Sequence, residues 1–268
     1  MHTQQKFGAC SWIFGEMSLG EIAQRLMNLR FDGVELMGDL SRYSAAEASR
    51  ILGDFGLSIF SLTPDNVDLA HPDTAVRQQA IDYYLQLLDF ASELGQPLVS
   101  CHGFVGRVAP ISTMAEEREL LVTAVFHIAQ RAQQQNLRLV FEVLNRYETH
   151  LIHTSAEALK FIQDVDMPNL GILLDAYHMN IEEQNSAEAI RAAGDKLWLY
   201  HMADSNRQGI GRGHIKLGDH LWALEDIGYN GPIIFECTAP GPNPFTPIKD
   251  DDSLMWLETY LRESRDMF

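Results

Sequence analysis

Hydrophobic positions recur along this chain in two alternating rhythms. Short apolar runs rich in β-branched or aromatic residues are followed by longer stretches whose apolar residues return every three or four positions, the patterns of strands and amphipathic helices. The runs predict eight strands, at 7–11, 33–37, 57–62, 98–102, 137–143, 170–175, 197–202 and 232–236. Each precedes a helical pattern. Within 73–94, Ile81, Tyr84, Leu85, Leu88, Ala91 and Leu94 share one face, and within 113–135 so do Leu121, Val125, Ile128, Ala129 and Ala132. Thr154, with Glu157 three residues on, predicts a capping box at a helix start, while Gly95 and Gly228 predict helix ends.

Eight strand-helix units without a linker rich in Gly, Pro or Ser favour an α/β chain folded as one (β/α)8 TIM barrel over residues 1–268, rather than two α/β domains. The competitor is an open doubly wound sheet. Its nucleotide-binding form needs a G-x-G-x-x-G turn after an early strand, and Cys10-Ser11-Trp12-Ile13-Phe14-Gly15 is no such turn. The glycine cluster Gly209-Ile210-Gly211-Arg212-Gly213 follows the seventh strand and reads as a loop over a site.

Charge narrows the function. With 20 Lys+Arg against 37 Asp+Glu, the 268 residues carry a formal charge of −17, which argues against a nucleic-acid partner, since a phosphate-neutralising domain needs a basic stripe. The polar start through Lys6 has no signal-peptide core, and no apolar run approaches the roughly 18 residues of a membrane span. The expectation is a cytoplasmic protein without a membrane partner. Cys10, Cys101 and Cys237, odd in number and far apart, predict reduced, buried thiols rather than disulfides or a paired-thiol zinc site.

In such a barrel the active site lies at the carboxyl ends of the strands, so a polar residue closing an apolar strand is a candidate. The last four strands each have one: Glu142, Asp175, His201 and Glu236. An acid at a strand end is often only a helix cap, but four in consecutive strands make that reading insufficient. Three carboxylates converging on one mouth would oppose joint ionisation, and a divalent cation removes the conflict. Oxygen ligands with one histidine suit manganese, magnesium or cobalt; zinc is less typical of a set without thiolates.

These residues also carry a family resemblance. Phe141-Glu142-Val143-Leu144-Asn145-Arg146-Tyr147-Glu148-Thr149, Leu174-Asp175-Ala176-Tyr177-His178-Met179-Asn180, His201-Met202-Ala203-Asp204-Ser205-Asn206-Arg207, Gly211-Arg212-Gly213-His214-Ile215 and Phe235-Glu236 resemble the sugar phosphate isomerase/epimerase family. That family belongs to the xylose-isomerase-like barrels and includes ketose 3-epimerases of the tagatose and psicose type. The resemblance is densest over 137–240, and the spacings of 33 (142 to 175), 26 (175 to 201) and 35 (201 to 236) fit the 3-epimerase metal set. It implies that Glu142, Asp175, His201 and Glu236 bind the metal, and that His178 and Arg207 hold substrate oxygens. It also implies a dimer or tetramer, which no residue here decides.

Epimerisation next to a ketone takes a proton from one face of a carbon and returns one to the other, and Glu142 and Glu236 are the expected bases. The metal would polarise the carbonyl and steady the cis-enediolate. His102, beside Gly103, reads equally as pocket lining or packing; Asn145 and Glu148 are expected to help recognise the sugar. His178 is placed on the loop leaving the sixth strand. Trp12, Phe14 and Phe104 follow early strands as an apolar wall or core, outside the catalytic set. Ser205, Arg207 and Arg212 could meet a phosphate or free hydroxyls, so the substrate is a ketose or a ketose phosphate. The acidic run Asp250-Asp251-Asp252 reads as the start of the last helix.

Other reactions share this site: 1,2-aldose-ketose or hydroxypyruvate-type isomerisation, or inosose dehydration. An AP-endonuclease-type barrel would need a histidine at the third strand, where Leu62-Thr63-Pro64-Asp65-Asn66 stands, and an Asp-x-His pair where Gly213-His214 stands. A sugar-binding barrel that has lost its reaction is the non-enzymatic alternative.

Overall fold

Strands buried on both faces read as near-continuous apolar runs, which is why the eight runs become parallel strands under a coat of helices. A computed structural model describes residues 5–239 and 250–268; the first four positions of the polar N-terminal stretch lie outside them. The strands are β1 (Phe7–Cys10), β2 (Gly33–Met37), β3 (Ser58–Thr63), β4 (Leu98–Cys101), β5 (Leu139–Glu142), β6 (Leu170–Asp175), β7 (Leu197–Met202) and β8 (Ile233–Phe235). They pair in sequence order into a closed barrel, with β8 returning to β1 through Phe7↔Ile233, Gly8↔Ile234 and Ala9↔Phe235. The (β/α)8 architecture expected from the pattern is the one observed.

The helices are α1 (Leu19–Asn28), α2 (Ala45–Asp54), α3 (Thr74–Glu93), α4 (Met114–Gln134), α5 (Ser155–Val165), α6 (Ala176–Glu182), α7 (Ser186–Ala193), α8 (Leu217–Asp226) and α9 (Asp251–Asp266). The unit after β6 thus contains two helices. Thr154 and Glu157 form the reciprocal cap at α5, and Asp250 caps α9 with Asp251 and Asp252 in its first turn. On α3 the buried stripe is Ala80, Tyr84, Leu87, Leu88 and Ala91, while Ile81, Leu85 and Leu94 sit half-buried at its border. The buried stripe is thus turned from the predicted face toward Ala80 and Leu87. At the lower end of the barrel, Gly33 and Gly171 leave space that the rings of Phe60 and Trp198 fill, and a Cβ on either glycine would overlap them. All three cysteines are buried and free, and no helix among the described residues is long and apolar enough to cross a membrane.

At the upper rim a buried ion cluster ties the loop after β4 to α4 and to the loop after β5. Arg107 bonds Asp68 through Nε and Nη2 at 3.0 and 2.8 Å and pairs with Glu117 through Nη1. Glu117 also accepts from the backbone N–H groups of Ile111 and Ser112 at 2.6 and 2.9 Å and meets His150 Nε2 at 2.7 Å. Against the desolvation that raises it, Arg107 and these donors hold the Glu117 carboxyl down at about 2. Its stabilising contribution is therefore complete above pH 4.5 and lost as pH falls toward 2. Glu117→Ala, which takes the acceptor from Arg107 Nη1, His150 Nε2 and the N–H groups of Ile111 and Ser112, is expected to cost about 3 kcal/mol in urea unfolding at neutral pH. A loss below 1 kcal/mol would show the cluster to be solvated in solution.

Candidate metal centre

The barrel brings the four strand-end residues together. Glu142 ends β5, Asp175 ends β6, His201 stands one residue before the end of β7 and Glu236 follows β8. One ligand atom from each lies within 4.8 Å of the others, and all four residues are buried. His201 Nδ1 is 3.7 Å from Glu142 Oε1 and 3.6 Å from Glu236 Oε2. Asp175 Oδ1 caps α6 by accepting from the N–H of Tyr177 at 2.8 Å, while its Oδ2 has no hydrogen-bond partner. His201 Nδ1 is likewise buried without one. Buried lone pairs left unmatched in this way are costly, and oxygen and imidazole donors converging on one point fit a divalent cation.

Glu35 is the residue the sequence reading missed. It lies in the middle of β2 rather than at its end, yet its carboxylate reaches across the barrel to His201 Nε2 at 3.1 Å. The hydroxyls of Ser61 and Thr63 donate to it at 2.5 and 2.7 Å, and Cys10 Sγ lies 3.6 Å away. Holding the Nε2 proton turns His201 Nδ1 toward the other three ligands, the usual carboxylate-histidine arrangement behind a metal. Glu35→Ala is therefore expected to lower Mn(II) affinity about 10- to 100-fold in calorimetric titration of the metal-stripped protein. An unchanged affinity would remove Glu35 from the metal site.

Arg207 brings a fixed positive charge to the site. Its Nη2 donates to Glu236 Oε2 at 2.6 Å, its Nη1 is 3.5 Å from Glu148, and its guanidinium lies 4.8 Å from the centre of the Tyr177 ring. The backbone there is left-handed, φ 59°, a conformation that costs a non-glycine residue about 1–2 kcal/mol. It is held by Arg207 N–H donating to Asp204 O at 2.7 Å and by Thr238 N–H donating to Arg207 O at 2.8 Å. The Asp204 carboxylate in turn accepts from the N–H groups of Ser205, Gly211 and Ile215 at 2.7, 2.8 and 3.1 Å, and Gly213 packs against it too closely for any side chain. The late glycine cluster is thus the scaffold of the loop that delivers Arg207.

The other expected residues surround this core. His178 is buried in the first turn of α6, not on an exposed loop, because Asp175 caps a helix immediately after β6. Asn145 is buried beside it, and Glu148 lies between Asn145 and Arg207. His102 follows β4 and is buried, its Nδ1–H donating to Gly103 O at 2.6 Å. Of the early aromatics, Phe14 is core and Phe104 half-buried. Trp12 belongs to the site: its Nε1–H donates to Glu236 Oε1 at 3.0 Å. A short 3-10 turn over Trp12–Phe14 swings it inward, a local bend no periodicity announces.

Electrostatics separates the two glutamates. Burial, followed by the charges of Glu236, Glu35 and Asp175 against His201, raises Glu142 well above the ordinary carboxylate range. Glu236 is desolvated as well, yet Arg207 and His201 hold it well below. Burial and the Glu236 charge push Asp175 up to about 7. His201 is buried but held well up by Glu35 and Glu236, so its proton is the positive charge the protein itself places there. The acids outnumber the fixed cations, a deficit that a divalent ion offsets.

A family described as xylose isomerase-like TIM barrel matches residues 24–260. An L-ribulose 3-epimerase of Methylomonas sp. (strain DH-1) is 40% identical over 121 residues, 45% of this chain, and that match spans only 42% of the relative's length. A D-psicose 3-epimerase of Agrobacterium fabrum is 31% identical over 227 residues, covering 81% of this chain and 78% of its own. Among solved structures, a D-psicose 3-epimerase from Clostridium cellulolyticum H10 with D-tagatose superposes with a TM-score of 0.86 at 27% identity, covering 98% of both chains.

Proposed function

Since the chain belongs to the xylose isomerase-like TIM barrel family, among the ketose 3-epimerases, we propose that it is a metal-dependent isomerase that epimerises carbon 3 of an unphosphorylated ketose. The observation that carries this is the convergence of Glu142, Asp175, His201 and Glu236 on one buried point at the barrel mouth. These four would hold a divalent ion, manganese, magnesium or cobalt, on a single barrel domain working in the cytoplasm. Such an ion would polarise the sugar carbonyl and offset the charge of the enediolate.

The chain's own residues move the protons. Glu236, kept ionised by Arg207, takes the proton from carbon 3 on one face, and Glu142 returns one to the opposite face; the other epimer runs the two in reverse. Arg207 and His178 hold the oxygens at carbons 2 and 3 in the plane of the enediolate. His102, at the end of β4, lines the sugar pocket.

Two of the three residues that could have greeted a phosphate, Arg212 and Ser205, are engaged elsewhere. Arg212 pairs with Glu263 at 2.6 Å and lies over Trp256 and Tyr260, and Ser205 Oγ meets His214 Nδ1 at 3.0 Å. This favours a free sugar over a ketose phosphate. The test is incubation of metal-loaded protein in deuterated water with ketoses and ketose phosphates, followed by NMR. Deuterium at carbon 3 of a free ketose with inversion supports the proposal. Label at carbon 1 with aldose formation would make the enzyme a 1,2-isomerase instead.

A further inference from the structure

Asn145 stands inside the site, yet every polar atom of its side chain is used by the protein. Its Oδ1 accepts from the N–H of Tyr147 at 2.9 Å, which settles which end of the amide is nitrogen. The two hydrogens on Nδ2 then go to Glu148 Oε1 at 3.0 Å and His178 Nδ1 at 2.7 Å. The backbone N–H of Asn145 points at the same His178 nitrogen from 3.3 Å. Facing two donors, His178 Nδ1 can only accept, so its ring is neutral and carries its hydrogen on Nε2.

Nε2 is the part of His178 turned toward the metal centre. It is buried, has no hydrogen-bond partner, and lies 3.6 Å from Asp175 Oδ2, beyond hydrogen-bond length. From these contacts we infer that Asn145 is a positioning residue rather than a sugar contact: it selects the Nε2–H tautomer of His178, so that a lone donor awaits a substrate oxygen beside Asp175. Through its second hydrogen it also steadies Glu148, which lies 3.5 Å from Arg207, so one amide orients two neighbouring groups of the site. Asparagine is required because a carboxylate would accept where the amide donates, and would draw the hydrogen of His178 to Nδ1. The inference rests on the epimerase reading for its effect on rate, but the tautomer itself does not depend on which reaction is catalysed.

The experiment is NMR of protein labelled with 15N in its histidines, with His178 assigned by comparison with His178→Asn, in wild type and in Asn145→Asp. The expected wild-type signal is neutral Nε2–H. In Asn145→Asp the hydrogen moves to Nδ1, and kcat falls on the order of 100- to 10,000-fold while Mn(II) affinity is retained. Asn145→Asp places a carboxylate beside Glu148, so Asn145→Asp/Glu148→Gln is carried in parallel should the single variant not fold. A wild-type His178 protonated on Nδ1 or on both nitrogens overturns the inference, as does a variant that keeps Nε2–H or keeps its kcat. If wild type shows the Nε2–H tautomer but turns over no ketose, the orientation by Asn145 stands and the assigned reaction falls.

Discussion

Glu236→Gln is expected to lower kcat on the order of 10,000-fold, the upper range for loss of a positioned proton acceptor. Glutamine keeps the length and volume of the side chain, so the fold and the contact with Trp12 Nε1 need not change. What it cannot do is take a proton. It also confronts Arg207 Nη2, now 2.6 Å from a carboxylate oxygen, with an amide that must either turn its NH2 group toward the guanidinium or give up the Trp12 bond. Starting from the epimer whose carbon 3 hydrogen faces Glu236, the loss should appear equally in epimer formation and in exchange of that hydrogen with deuterated water, since both begin with the same proton abstraction. Thermal unfolding run alongside separates a chemical defect from a folding one. Residual activity within tenfold of wild type would take Glu236 out of the mechanism and leave it as a ligand alone.

The second large effect is removal of the divalent ion. Chelation should bring turnover to background, and adding back manganese, magnesium or cobalt should restore it. Among the described residues, Glu35, Glu142, Asp175 and Glu236 crowd one interior with Arg207 and a protonated His201 to balance them, so the stripped protein should also be less stable. An ion at 100 times its Kd adds about 2.7 kcal/mol, which for a chain of this size is a rise in Tm of roughly 5–10 °C. If manganese moves neither Tm nor turnover, the protein is better described as a sugar-binding barrel that has lost its reaction.

Most of the architecture was legible because a barrel strand buried on both faces writes an uninterrupted apolar run, and β2, β6 and β7 begin and end where those runs do. The four strand-end groups were legible for the same reason, since helix capping can account for one charge that closes such a run but not for four in consecutive strands. Glu35 obeys the same logic but sits mid-strand, where looking only at strand ends passes it over. Trp12 was hidden by a turn of three residues, and the position of His178 by a helix that starts one residue after β6, where a loop was expected. Arg212 and Ser205 looked like phosphate ligands in one dimension; Glu263 and His214, which occupy them, are distant or unremarkable in sequence.

The ring that β8 completes against β1 also sets when the centre can exist. Glu142, Asp175, His201 and Glu236 stand at the ends of the successive strands β5 to β8, and β8 pairs with β7 as well as with β1, but it is closure of the sheet through Phe7↔Ile233, Gly8↔Ile234 and Ala9↔Phe235, partners more than 220 positions apart in the chain, that bends this row of four inward onto one point. Ligands so dispersed give an unfolded chain no local chelate, so the ion binds the closed ring and adds its full binding energy to that closure. During synthesis a nascent chain shorter than residue 236 lacks both the fourth ligand and the seam. Capture of the ion then marks the moment the barrel shuts, and the rate at which a refolding sample takes up manganese should follow the slow pairing of its two ends rather than the fast formation of its helices.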